Sequence, residues 1–577
     1  MTQTNSSFSI PEKPQRHYLP AVIQDFHWQD IEPYFNELNN RPLQSAAELR
    51  QWLLDRSELE SFLQEDVAWR YIRMSCDTAS QSYKESFEFF VTEIEPNVAP
   101  YTDKLNRKLL DCEHVSALHD ARMEIMLRGI RKQVEIFREE NIPLFTELQK
   151  KEQEFSAISG AMTVVVEGQE LTLQQASNLL KSQDSEVRKQ VFEKIAARRL
   201  QDKEPLDKLF DELIELRHQI ACNAGFDNYR DYMFAAMGRF DYSVADCERF
   251  HDAIAQEVVP LLNELHRKRK QALNTDCLHP WDTSVSTSGH SAPVPFRGGD
   301  DMMEKTISCF KKIHPVAAQS MQLLRDLKQV DLDSRKGKAP GGYNYPLYET
   351  GVPFIFMNSA DSVLDLTTMV HEGGHAIHSV LTRDLDYVPF RNIPSEIAEL
   401  ASMSMELVSM EHWECFFSDP KDLTEARKEQ LEQIIVALPW IAAIDQFQHW
   451  IYTNPGHNAT ERREEWHRIN KRFSSSIVDY SGFEDVFDNQ WQKQIHLFQY
   501  PFYYIEYGIA QLGALAVWRN YVSAPEESVA QYLNALKLGY STDMTTVYET
   551  AGVKFDFSQS YVRELASFLM SRLDKLG

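Results

Sequence analysis

Val370-His371-Glu372-Gly373-Gly374-His375-Ala376 places two histidines and a glutamate where they can share one task. If this stretch is helical, positions four apart lie on one face, so His371 and His375 can aim their imidazoles at one metal ion. Glu372 follows His371 directly and can reach a water beside that ion. Two ligands and a general base within five residues are the working parts of a zinc hydrolase of the metalloprotease type. Two surface histidines beside a solvated glutamate would look the same in isolation. The surroundings argue against that reading: Val363–Val370 is largely apolar, and Ala376-Ile377 follows. A buried helix must find partners for such polar groups. Gly373 and Gly374 each weaken a helix by about 1 kcal/mol relative to alanine. They imply close approach, either by a neighbouring segment or by a substrate strand.

A catalytic zinc takes three protein ligands and keeps one position open. The third is expected on a second helix, which begins near Pro394-Ser395, with Ser395 as its cap. Glu396, Glu399 and Glu406 are the candidates, and spacing alone does not choose among them. Glu396 suits the dipole of a helix start. Glu399 sits among Ala398, Leu400 and Ala401, which a solvated surface does not explain. Glu406 suits an acceptor for a ligand histidine N–H, and Asp365 on the first helix is grouped with it as a supporting residue. His378 is no ligand, because two helical turns separate it from His371 by about 10 Å. It reads as a core or cleft-wall histidine.

Peptide hydrolysis builds negative charge on a carbonyl oxygen, and hydroxyl or imidazole donors can stabilise it. The segment from His496 to Ala510 is rich in such groups. Tyr504 and Tyr507 lie one helical turn apart after Pro501, and His496 precedes them. An aromatic core stripe would have the same spacing. Tyr500 and Tyr503 read as packing or substrate contacts. Near Gly341, Gly342 and Tyr343, and again at Phe354–Met357, strand-like stretches precede the metal-site helix. There a peptide backbone could be added as a strand, with Gly341, Gly342, Tyr343, Phe356 and Tyr500 as substrate contacts.

The elements that must hold these groups are mostly helical. Apolar residues recur at helical spacing in Leu118–Glu139, Ser185–Arg199 and Pro205–Ala221. Met162–Leu173 reads as a hairpin turning at Glu167-Gly168. Residues 1–200 are expected to form a helical N-terminal domain carrying this hairpin, and 201–577 the catalytic domain. Loops are expected at about 279–299 and 333–342, the second able to move with substrate. The chain has 577 residues and a formal charge of −26, which disfavours nucleic acid or an anionic membrane as partner. Seven scattered cysteines with no C-x-x-C pair imply reduced thiols and a cytoplasmic location. The first residues carry no signal-peptide pattern. The longest apolar run, Ile434–Ile444, is too short to span a bilayer.

His371-Glu372-Gly373-Gly374-His375 followed by Glu399-Leu400-Ala401-Ser402-Met403-Ser404-Met405-Glu406 resembles the M3 family of zinc metallopeptidases. That family includes thimet oligopeptidase, and the nearer likeness is to its oligoendopeptidase F and Pz-peptidase branch. Lys336–Tyr343, Val352–Asn358 and His496–Tyr507 agree with it. One departure is Asn344, where many relatives carry cysteine. The resemblance implies one zinc per chain with Glu399 as third ligand, and Tyr507 with Tyr504 or His496 at the oxyanion. It implies a mainly α fold, two helical halves around a deep channel with a small β-sheet beside the zinc helix. It also implies an endopeptidase of short oligopeptides, monomeric or a small homo-oligomer. A zinc carboxypeptidase or dipeptidase would need a cation for a free terminus, for which Arg383 and Arg391 are candidates. An inactive peptide-binding protein would keep the cleft and lose the turnover.

Overall fold

The computed structural model describes residues 12–576 apart from 14, 24–25, 119 and 288–292. Of the loop expected at about 279–299, residues 288–292 therefore lie outside the described residues. The fold is mainly α. Five short strands form two sheets among the described residues: β1 (Thr163–Val166), β2 (Gln169–Thr172), β3 (Val330–Asp333), β4 (Tyr343–Tyr345) and β5 (Phe354–Ser359). The chain divides into two compact units, each assembled from separate stretches of sequence. The first comprises residues 1–134, 292–427 and 510–555, and the second 135–291, 428–509 and 556–577.

In the first unit, the 31-residue helix Ala46–Cys76 starts at Ser45, whose hydroxyl accepts from the Glu48 amide. Its face bearing Ala68 and Ile72 packs against Leu347, Phe354 and Phe356 of the sheet region. The sheet order is β3-β5-β4, with β3 parallel and β4 antiparallel to β5. Phe354–Met357 in β5 are all buried, as a central strand covered on both faces requires. β4 is an edge strand. The segment between β3 and β4, expected to be mobile, is tied down. Lys338 donates to the Asp331 carboxylate and to the carbonyls of Asp331, Asp333 and Met357. Its ammonium also lies 4.4 Å from the Phe356 ring centroid.

The helix Val363–Leu381 begins in a capping box. Ser362 accepts from the Asp365 amide, and the Asp365 carboxylate accepts from the Ser362 amide and hydroxyl and from the Ala360 amide. The helix Ser395–Met410 packs along it. Pro394, not Ser395, occupies its N-cap position, so the expected serine cap is absent and Ser395 is the first helical residue. At the crossing the paired glycines are explained. A Cβ on Gly374 would stand 2.6 Å from Ser402 Cα and 2.7 Å from the Ala401 carbonyl oxygen, and one on Gly373 would stand 2.8 Å from the Phe310 ring. The close approach comes from neighbouring segments of the chain rather than from a substrate strand.

In the second unit the hairpin β1–β2 forms at the expected turn, with Glu167 and Gly168 both at positive φ. The expected helices form as Ser185–Gln201 and Lys203–Asn223. Arg217, fully buried, donates to the Tyr452 hydroxyl and to the carbonyls of Leu497 and Phe498. Arg239, also buried, donates to Glu506 and to the Phe502 carbonyl. Two guanidinium forks thus fix the backbone on either side of Tyr500. The helix Pro420–Thr453 is long and apolar enough to cross a membrane by length and composition, yet 72% of its most apolar window is buried inside the protein. That burial is what a core helix shows.

Gly374→Ala should lower unfolding free energy by about 1–3 kcal/mol, because its methyl group meets backbone rather than a movable side chain. Urea denaturation measures this, and an unchanged midpoint would remove the crossing as the reason for the glycine.

Candidate active site

His371 and His375 project from one face of the helix Val363–Leu381, with ring centroids 4.9 Å apart and planes at 84°. Glu399 reaches them from the crossing helix: its Oε2 lies 3.3 Å from His371 Nε2 and 3.7 Å from His375 Nε2. One donor atom from each of the three lies within 4.8 Å of the other two. Among the glutamates that spacing left open, Glu399 is therefore the one in this group. Glu406, two turns further on, holds the far side of His371, with Oε1 2.6 Å from Nδ1. A carboxylate accepts there, so Nδ1 carries a proton and Nε2 is the nitrogen left facing Glu399. Ser402 donates to Glu399 Oε2 at 2.9 Å and fixes that carboxylate in turn.

Glu372 is buried, and its Oε2 has no hydrogen-bond partner. Burial pushes its carboxyl up to about 7, against the attraction of His371. For His371, burial opposes charge, but the Glu406 hydrogen bond and the Glu399 carboxylate outweigh it and hold the imidazole at about 10. His375, buried beside a charged His371, is driven well below the usual histidine range. The pocket favours one positive charge among its carboxylates and refuses a second.

Other expected site residues are distributed differently. Asp365 caps the helix start, six residues or about 9 Å of rise before His371, so it supports the helix and not a ligand. Phe356, expected to touch substrate, is fully buried and stacks on Tyr343 at 4.8 Å. The Tyr343 hydroxyl is hydrogen-bonded to Ser75 at 2.7 Å. Gly341 sits at a φ of 96° and its carbonyl accepts from Asn358 Nδ2, while a Cβ on Gly342 would meet the Phe356 carbonyl oxygen at 3.3 Å. Asn344 on β4 donates to the Glu372 carbonyl at 3.2 Å and ties the edge strand to the helix. His378 is buried outside the ligand group, and its ring engages the Leu536 backbone. Arg391 is committed to the Tyr348 carbonyl and the Ser61 hydroxyl, and Arg383 packs its methylenes over Gly351. Neither is set out as a clamp for a free carboxylate.

His496, Tyr504 and Tyr507 gather within the second unit. The His496 ring centroid lies 4.5 Å from that of Tyr504 and 5.9 Å from that of Tyr507, while Tyr500 is more than half exposed. Two residues outside the sequence-derived set organise them. Trp440 Nε1 can only donate, and it meets Gln494 Oε1 at 2.9 Å. The Gln494 amide nitrogen therefore faces His496 Nδ1, at 2.6 Å, and donates. Neutral His496 must then carry its proton on Nε2. Burial lowers this histidine to about 4, which keeps it neutral. The Gln494 amide also reaches the Tyr504 hydroxyl, and burial pushes that phenol up to about 12. Trp440 and Gln494 lie 64 and 10 residues before Tyr504, at no helical spacing from it, so no sequence pattern points to them.

The model of peptidase family M3 matches residues 178–294 and 311–567, and that of the peptidase M3 N-terminal domain matches 21–137. The chain belongs to peptidase family M3. Oligopeptidase PepF of Bacillus subtilis is 24% identical over 395 residues, which are 65% of this chain and 55% of that protein. The chromosomal oligoendopeptidase F of Lactococcus lactis subsp. cremoris is 23% identical over 411 residues, 70% of this chain and 66% of the relative. The matched region thus spans less than two thirds of either relative. Among solved structures, PZ peptidase A with an inhibitor has a TM-score of 0.88 at 24% identity, covering 99% of both chains. Oligoendopeptidase-F from Enterococcus faecium has a TM-score of 0.64 at 16% identity, covering 95% of this chain and 97% of that one. The shared fold is the mainly α one.

Gln494→Glu should raise the His496 pKa above about 4 and move its proton to Nδ1, since a carboxylate can only accept. Nitrogen shifts of labelled histidines read this directly. A wild-type His496 protonated on Nδ1 would overturn the assignment.

Proposed function

We propose that the chain is a zinc-dependent endopeptidase of short oligopeptides. The observation that carries this reading is the convergence of His371, His375 and Glu399 donor atoms within 4.8 Å, beside a buried Glu372 oxygen without a partner. Two imidazoles and one carboxylate are a donor set that zinc accepts, with a fourth position left for water or substrate. When bound, zinc supplies Lewis acidity that polarises a peptide carbonyl and acidifies water.

The chain's own groups supply the remainder. Glu372 Oε2 accepts a proton from the attacking water and returns it to the departing amine. Glu406 keeps the His371 proton on Nδ1, so Nε2 remains a ligand. The unpaired edge of β4 suits an extended peptide backbone, and the Asn344 bond to the Glu372 carbonyl sets that edge beside the base. His496 Nε2–H and the hydroxyls of Tyr504 and Tyr507 form, within the second unit, a donor cluster of the kind that stabilises an oxyanion. The relatives, an oligopeptidase and an oligoendopeptidase F, support peptides as substrates and internal bonds as targets.

Glu372→Gln should retain zinc and lose roughly 10²–10⁴-fold or more in kcat. His375→Ala should lose zinc by atomic absorption together with turnover. Glu406→Ala should weaken zinc about 10–100-fold in competition with a chelator. Doubly blocked fluorogenic peptides test the endopeptidase assignment, and a strict requirement for a free C-terminus would refute it.

A further inference from the structure

The helix Val244–Glu257 and the helix Pro420–Thr453 each present a pair of metal-binding side chains four residues apart inside the second unit. Cys247 and His251 form one pair, and Asp445 and His449 the other. Spacing of four puts each pair on one helical face, the way ligands are built into bundle cores. Donor atoms of Cys247, Asp445 and His449 lie within 4.8 Å of one another, and all three residues are buried.

Their local geometry parallels that of the site described above. Asp445 Oδ2 stands 3.2 Å from His449 Nε2, as Glu399 Oε2 stands 3.3 Å from His371 Nε2. Ligands of one tetrahedral zinc are about 3.2–3.8 Å apart, given bonds of about 2.0–2.3 Å. The His251 and His449 rings cross at 85° with centroids 5.6 Å apart, as those of His371 and His375 cross at 84°. His251 Nε2 lies 2.8 Å from Asp445 Oδ2 and orients that carboxylate.

A buried hydrogen-bonded ladder is the alternative, and the polar atoms contradict it. Asp445 has no exposed surface, yet its Oδ1 has no hydrogen-bond partner, nor has His449 Nδ1, while His449 Nε2 faces Asp445 Oδ2. Buried polar groups of a finished network are satisfied. The His449 ring is held in place by Phe502, 5.5 Å away, and Phe234, 6.0 Å away, so it does not turn aside to find a partner. A third grouping, Cys277, His279 and Asp479, provides the contrast. There the Cys277 thiol donates to Asp479 Oδ2 and Ser481 donates to Oδ1, so the carboxylate is already occupied.

We propose that Cys247, Asp445 and His449 bind a second zinc ion, with His251 holding the Asp445 carboxylate. Thiolate, imidazole and carboxylate suit zinc. One thiolate and one carboxylate neutralise a divalent ion, which offsets the cost of burying charge. A cavity of about 410 Å³ lined by Arg230, Glu248, His251, Gln446, His449 and Arg472 reaches the two imidazoles and supplies a polar route to them. The ion would lock two helices of the second unit together, apart from the hydrolytic group.

Metal content of the full-length protein, dialysed after zinc loading, tests this. Two zinc ions per chain are expected in the wild type, and one in each of Cys247→Ala, His449→Gln and His375→Ala. Cobalt substitution separates the two sites, because only the second has a sulfur ligand. A thiolate-to-cobalt charge-transfer band is expected in the wild type and in His375→Ala, and not in Cys247→Ala. Two zinc ions retained by His375→Ala with the band intact would count against the first site alone. A wild-type chain with no such band overturns the second site whether or not the variants fold. So does a band that survives Cys247→Ala or disappears with Cys277→Ala.

Discussion

The group of His371, His375 and Glu399 depends on one backbone contact, the crossing of Val363–Leu381 over Ser395–Met410. Gly374 lies so near Ser402 Cα and the Ala401 carbonyl that a side chain there would strike main chain. Side chains on the two helices therefore meet across a short gap. Glu399 reaches the imidazoles of both histidines with its carboxylate still held by Ser402 from the same helix. Were the crossing a methyl group wider, one carboxylate oxygen would not face both Nε2 atoms. The glycines weaken their own helix and in return place three donor atoms together, a local cost set against a gain in the site.

Within each unit several polar groups are oriented by another whose role is unambiguous. Glu406 can only accept, so it decides which nitrogen of His371 is protonated. In the second unit Trp440 can only donate, so it decides which end of the Gln494 amide faces His496, and through it the tautomer of that ring. Arg217 and Arg239 do the same for backbone, capturing carbonyls before and after Tyr500. Such chains preorganise donors and acceptors, so little reorganisation remains when charge develops during a reaction. The cluster at Asp445 departs from this pattern, with Asp445 Oδ1 and His449 Nδ1 left without hydrogen-bond partners.

Much of this was legible in the order of residues. His371, Glu372 and His375 carry their geometry within a single helical turn, so the pattern and the helix suffice. The hairpin at Glu167-Gly168 and the helices after Ser185 and Lys203 likewise follow from local propensity. The resemblance to peptidase family M3 rested on contiguous motifs, and the family model matches along most of the chain. For Asp365 and Phe356, spacing cannot separate a capping carboxylate from a supporting one, or a strand residue facing the core from one facing substrate. Burial and hydrogen bonding make those distinctions.

The sequence by itself determined the chemistry on offer: the ligand types, the base, the donor-rich segment near Tyr507 and a mainly helical chain. These depend on residue identity and on contacts a few positions apart. Tertiary structure alone brought the Glu399 carboxylate to both histidines and Glu406 to the far side of His371, explained why the glycines are paired, and showed how Trp440 and Gln494 set the proton on His496. It alone brought Cys247 beside Asp445 and His449, nearly two hundred positions later in the chain. Those facts depend on the angle and separation at which distant helices cross, which arise from the joint burial of many side chains and from no single segment.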